Sequence, residues 1–61
     1  MSHVAMIEYW YDRILRLWTI LLRDAEGNQI GNAEYEPRIL EAKYTVGRLR
    51  KEYPKAKVVK Y

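Results

Sequence analysis

Between two prolines, Pro37 and Pro54, lies the stretch that most restricts the fold: Glu36 to Tyr53, EPRILEAKYTVGRLRKEY. Ile39, Ala42, Val46, Leu49 and Tyr53 recur at steps of three and four, so they share one face of a helix. That face needs a second apolar layer from elsewhere in the chain. Pro37 suits a first helical position, Glu34 or Glu36 the positive end of the helix dipole, and Tyr35 can staple onto Leu40. Arg50 and Lys51 suit the negative end, and Pro54 stops the helix. The spacing predicts a helix over residues 36–53.

The rest of the chain must build the partner layer from few residues. At 61 residues it has room for a single small domain, residues 1–61, with one thin core. It has no cysteine, so neither disulfides nor thiolate metal sites can staple it, and six tyrosines, two tryptophans and a run of leucines must supply the buried area. Self-association is a second source of stability, which admits a homodimer.

VAMIEYWYD, residues 4–12, alternates Ile7, Tyr9 and Tyr11 with Glu8, Trp10 and Asp12, the pattern of a strand with one half-polar face. After a break near Asp12 and Arg13, ILRLWTILLRD places Leu15, Leu17, Thr19 and Leu21 on one side. Arg16, Trp18, Ile20 and Leu22 take the other, as in a central strand apolar on both faces. Ile7, Tyr11, Ile14, Trp18 and Leu21 also fall at helical steps, with Ser2 available as a cap. A helix through residues 3–23 would make the fold an all-α helical hairpin. Strands are preferred because Tyr, Trp, Ile and Thr favour pleated surfaces over helices.

The turn signal DAEGN, residues 24–28, joins this strand to a return strand, QIGNAEYE, in which Gly31 marks a bulge or a close approach. After Pro54, KAKVVKY reads as a short, basic edge strand. The fold class is therefore α+β: a small antiparallel sheet of three strands, then the helix, then a fourth strand, with the helix packed on one face.

Chemistry is sparse. Ser2, Thr19 and Thr45 have no base beside them, and the one histidine, His3, has neither a second histidine nor a cysteine for company. Fraying is expected of Met1, Ser2 and His3. The carboxylate pairs Asp24 with Glu26 and Glu34 with Glu36 lie in or beside turns, where such groups are solvated or cap helices. Gly27, Gly31 and Gly47 are too scattered to cradle a phosphate. The reading is a non-enzyme with no cofactor and no metal.

Charge is the more informative property. Residues 1–37 carry three basic and six acidic side chains, a balance of −3, whereas residues 38–61 carry eight basic and two acidic, a balance of +6. A dipolar surface steers charged partners, although lysines at a helix end and on an edge strand also simply keep a small protein soluble. Arg38, Lys43, Arg48, Lys51, Lys55, Lys57 and Lys60 can contact nucleic-acid phosphates, DNA or RNA, with Tyr44 and an exposed Trp10 or Trp18 stacking on unpaired bases. Burial of at least one tryptophan is the competing expectation.

The leading expectation is a small basic nucleic-acid-binding module. The alternative is a protein-interaction module, an inhibitor or adaptor for a larger acidic protein, built on surplus aromatic residues and of the kind that phages and mobile elements encode. No stretch of about 20 uncharged apolar residues crosses a membrane, and no apolar signal core opens the chain. With no cysteine to oxidise, the composition fits a mature, soluble, cytoplasmic protein.

Overall fold

The computed structural model describes residues 3–61. The elements run β1 (Met6–Asp12), β2 (Leu17–Arg23), β3 (Gln29–Glu36), α1 (Ile39–Glu52) and β4 (Lys57–Lys60). Residues 3–23 hold two strands, not a helix, so the all-α hairpin is excluded and the α+β reading holds. The expectations placed on Met1 and Ser2, including a cap at Ser2, lie outside the described residues.

The sheet order is β3-β2-β1-β4. β1 and β2 pair antiparallel, as do β2 and β3, while β4 pairs parallel with β1. The sheet is thus mixed where the sequence suggested an antiparallel one. The reason is the crossover: α1 returns the chain so that β4 runs in the same direction as β3, and two antiparallel steps give β1 that direction too. β4 then lands on the far edge of the sheet.

β2 is shorter than its apolar run because the turn that follows β1 consumes residues 13–16. The Asp12 carboxylate accepts hydrogen bonds from the amides of Ile14 and Leu15 at 2.9 and 3.0 Å, and Arg16 turns the chain with φ +57°. The second turn is built as its residues suggest. Gly27 has φ +87°, and the Asp24 carboxylate accepts from the amides of Glu26 and Asn28. Gly31, with φ +67°, lies where the β2–β3 register shifts between Ile20 and Leu22, so the bulge is real.

The helix begins at Ile39 and ends at Glu52, inside the predicted 36–53. Glu36 remains paired with Trp18 in the ladder, because a residue before proline is pushed into extended backbone. Pro37 therefore precedes the helix rather than opening it, and Arg38 is the N-cap, with no side-chain cap bond. Tyr35 is half exposed and Leu40 is 76 % exposed, so the predicted staple between them buries little. At the other end the amide of Tyr53 donates to the Leu49 carbonyl at 2.8 Å before Pro54.

The core lies between α1 and one sheet face. Ile7 and Ile20 are fully buried against Ala42, Val46 and Leu49, with Tyr9, Trp18, Leu22, Tyr53 and Val58 packed around them. Every second residue of β1 and β2 points the other way. Glu8, Trp10, Thr19 and Leu21 therefore belong to a sheet face that no helix covers.

Candidate functional site

Both faces of this two-layer fold carry polar side chains, and the outer face of α1 is the basic one. Ala42, Thr45, Val46 and Leu49 are buried, which leaves Lys43, Tyr44, Arg48, Arg50 and Lys51 turned outward. Tyr44 is 78 % exposed, the most exposed aromatic side chain among the described residues. Tyr44, Gly47, Arg48 and Lys51 fall on one helical stripe and line a notch of about 270 Å³. A Cβ placed on Gly47 would meet nothing within 4 Å, so packing does not require glycine there.

The remaining predicted basic residues spread around this notch rather than joining it. Arg38, at the helix N-cap, lies 3.9 Å from Glu41. Lys43 is exposed one residue before Tyr44, and Lys55 is exposed in the loop that leaves the helix. On β4, Lys60 points to the helix side, its ammonium 5.7 Å from the Trp18 ring, whereas Lys57 alternates to the open side. Arg48 is partly neutralised: its guanidinium donates to both carboxylate oxygens of Glu34 at 2.9 and 3.0 Å. Arg50 was not among the expected contacts although it is exposed seven residues beyond Lys43, a spacing that puts both on the same side of the helix.

The acidic residues expected at the helix dipole have other tasks. Glu34 holds Arg48, and Glu36 accepts a 2.7 Å hydrogen bond from the hydroxyl of Thr45, tying β3 to the middle of α1. Asp24 is spent on its turn. The Asn28 amide in particular holds its carboxyl below the usual range, against the opposing effect of burial and with help from the Asn28 side chain and the Glu26 and Gly27 amides. No group of three or more His, Cys, Asp or Glu able to hold a metal occurs among the described residues, and no helix is long and apolar enough to cross a membrane.

The open sheet face is the feature that sequence reading left unassigned. Glu8 is only 5 % exposed there, because Arg23 and Tyr61 lie over it. Arg23 Nε donates at 2.6 Å and the Tyr61 hydroxyl at 2.8 Å. Burial pushes the Glu8 carboxyl up, but the bonds from Arg23 and Tyr61 and the Arg23 charge outweigh it and hold Glu8 below the usual carboxylate range. The hydrogen bond to Glu8, then burial and the Glu8 charge, raise Tyr61 in turn. Tyr61 also stands edge-on to Trp10, with ring centres 6.2 Å apart.

Beyond Trp10, away from Tyr61, the face opens into a trough of about 530 Å³. Trp10 pairs with Thr19, and Thr19 pairs with Tyr35, so the three stand in one row across β1, β2 and β3. Thr19 is 5 % exposed and its hydroxyl has no hydrogen-bond partner. An unsatisfied buried hydroxyl costs about 1–3 kcal/mol. Neither tryptophan is fully buried: Trp10 flanks this trough and Trp18 packs against the rim of the core. Alternation in the sequence put Trp10 on the half-polar face of β1, but its alignment with Tyr35 depends on two registers that no local pattern encodes.

Comparison with known protein families, with curated proteins and with solved structures gives no match.

Proposed function

We propose that this chain is a small non-enzymatic binding module that contacts nucleic-acid phosphates through the outer face of α1. The observation that carries the reading is the stripe Tyr44, Gly47, Arg48 and Lys51, an exposed ring beside a notch flanked by two cations. Lys43 and Arg50 extend the charge along the helix and Lys55 carries it past the helix end, whereas Lys57, on the open side of β4, and Lys60, beside Trp18, lie off this face. Contacts of this kind bind DNA or RNA with little sequence information, and each phosphate neutralised releases counterions. The cysteine-free composition suits a cytoplasmic setting.

The test is fluorescence anisotropy with labelled single- and double-stranded DNA and RNA at two salt concentrations. Affinity should fall steeply with salt and should drop in Lys51→Glu and Lys43→Glu. Arg48→Glu should also weaken binding, and it removes a partner of Glu34, so folding must be checked beside affinity. No binding at low salt removes the reading.

A second reading, a protein-interaction module for a larger acidic partner or a second copy, is favoured by the β1–β2 turn. Ile14 is 93 % exposed and Leu15 52 % exposed, between Arg13 and Arg16. Apolar side chains framed by arginines are suited to anchor on an acidic surface. Light scattering across concentration tests self-association, and Ile14→Ser should abolish any dimer or captured complex that uses this turn.

A further inference from the structure

The geometry points to a second binding site on the open sheet face, a slot that takes a planar heteroaromatic ring with a hydrogen-bonding edge, that is, a nucleobase. Trp10 and Tyr35 flank Thr19 from either side in one cross-strand row. Two strand intervals separate their Cα positions by about 10 Å. Side chains that stand up from the sheet at that spacing leave two aromatic contacts of about 5 Å each, enough for one ring between them. Tyr61, 6.2 Å from Trp10 on the side away from the trough, buttresses the indole.

The slot is polar where a base needs it to be. Its floor holds the Thr19 hydroxyl, buried and without a partner in the protein. Gln29 and Asn32 line the same trough; the Gln29 amide nitrogen is engaged with the Gly31 carbonyl, and its carbonyl oxygen stays available as an acceptor. Amide side chains and a hydroxyl complement the donor and acceptor edge of a base, whereas a purely aliphatic ligand would leave them unpaired. The volume of about 530 Å³ lies within the range of small-ligand pockets. Asp12 is the one charged residue in the trough, and its carboxylate already serves the β1–β2 turn, so the slot binds the ring and not a phosphate.

This site is independent of the helix stripe, since α1 packs on the opposite face of the sheet. The ring can arrive as a free nucleoside or as an unpaired base in a single strand. The experiment is amide and indole chemical-shift mapping on the whole chain, titrated with each of the four ribonucleosides and then with short single-stranded homo-oligonucleotides. Saturable shifts at Trp10, Thr19 and Tyr35 with nucleosides assign the slot to a free nucleoside. The same shifts with oligonucleotides alone assign it to a base within a strand.

Thr19→Val should weaken that binding several-fold while melting no lower than the parent chain, because the lost hydroxyl has no partner within the protein. Tyr35→Ala should weaken it roughly tenfold, the usual scale for one stacked base. Shifts confined to α1, or none with any ligand, overturn the slot. So does unchanged affinity in both variants. Shifts confined to α1 with oligonucleotides would do so while leaving the helix reading intact.

Discussion

Glu8 is buried on a sheet face that faces solvent, because Arg23 and Tyr61 close over it and satisfy both carboxylate oxygens. Its folded-state acidity is stronger than its unfolded one, so its contribution to stability is complete above the ordinary glutamate range and is lost as pH falls through the lowered folded value. Tyr61 has the opposite sign: its raised value gives a contribution that is lost only in alkali. Glu8→Gln should cost about 1–3 kcal/mol at neutral pH by leaving Arg23 poorly matched. Urea midpoints at neutral and acidic pH check this, and the gap between variant and parent should narrow on acidification. Ile7 and Ile20 have no such polar support, and each fills the centre of a thin core. Ile20→Ala should cost about 2–5 kcal/mol, a large share of the stability of a chain this small, and thermal melting followed by circular dichroism reads it.

At the scale of elements, α1 carries an expense that its packing does not explain. Glycine inside a helix costs about 0.5–1 kcal/mol relative to alanine, and Gly47 has ordinary helical backbone with open space around it. Gly47→Ala should therefore raise the urea midpoint, and if the notch beside Tyr44 receives a nucleic-acid backbone it should lower affinity in the same variant. A fall in stability would mean that the glycine serves the fold. The turns are equally specific: Asp24→Ala removes the acceptor for two backbone amides and should lower the melting temperature, more at neutral pH than in acid, where Asp24 is already protonated.

Much of this level is legible in the sequence. QIGNAEYE is β3 residue for residue, and of the predicted face Ile39, Ala42, Val46, Leu49 and Tyr53, the core takes Ala42, Val46 and Leu49 with Tyr53 packed against them, while Ile39 stays outside it. Thr45 is buried beside them because Glu36 receives its hydroxyl, a long-range bond that periodicity does not reveal. The helix start moved because Pro37 acts on Glu36 before it acts on the helix. The stripe of Tyr44, Arg48 and Lys51 was visible from helical spacing, whereas the row of Trp10, Thr19 and Tyr35 required knowledge of strand register.

For the whole molecule, sheet order matters more than any one contact. The direction of β4 was not legible, because seven residues with alternating lysines fit either edge and either direction; only the α1 crossover decides. The charge asymmetry predicts that association with polyanions weakens with salt, and a salt titration of nucleic-acid affinity compared with the urea midpoint separates that effect from any change in folding. The parallel pairing of β1 with β4 has a mechanical consequence. Tension applied between Val4 and Tyr61 pulls these neighbouring strands along their length in opposite directions, so the hydrogen bonds between them share the load together instead of opening one at a time. Along that axis the fold should resist extension far better than its few buried side chains would suggest.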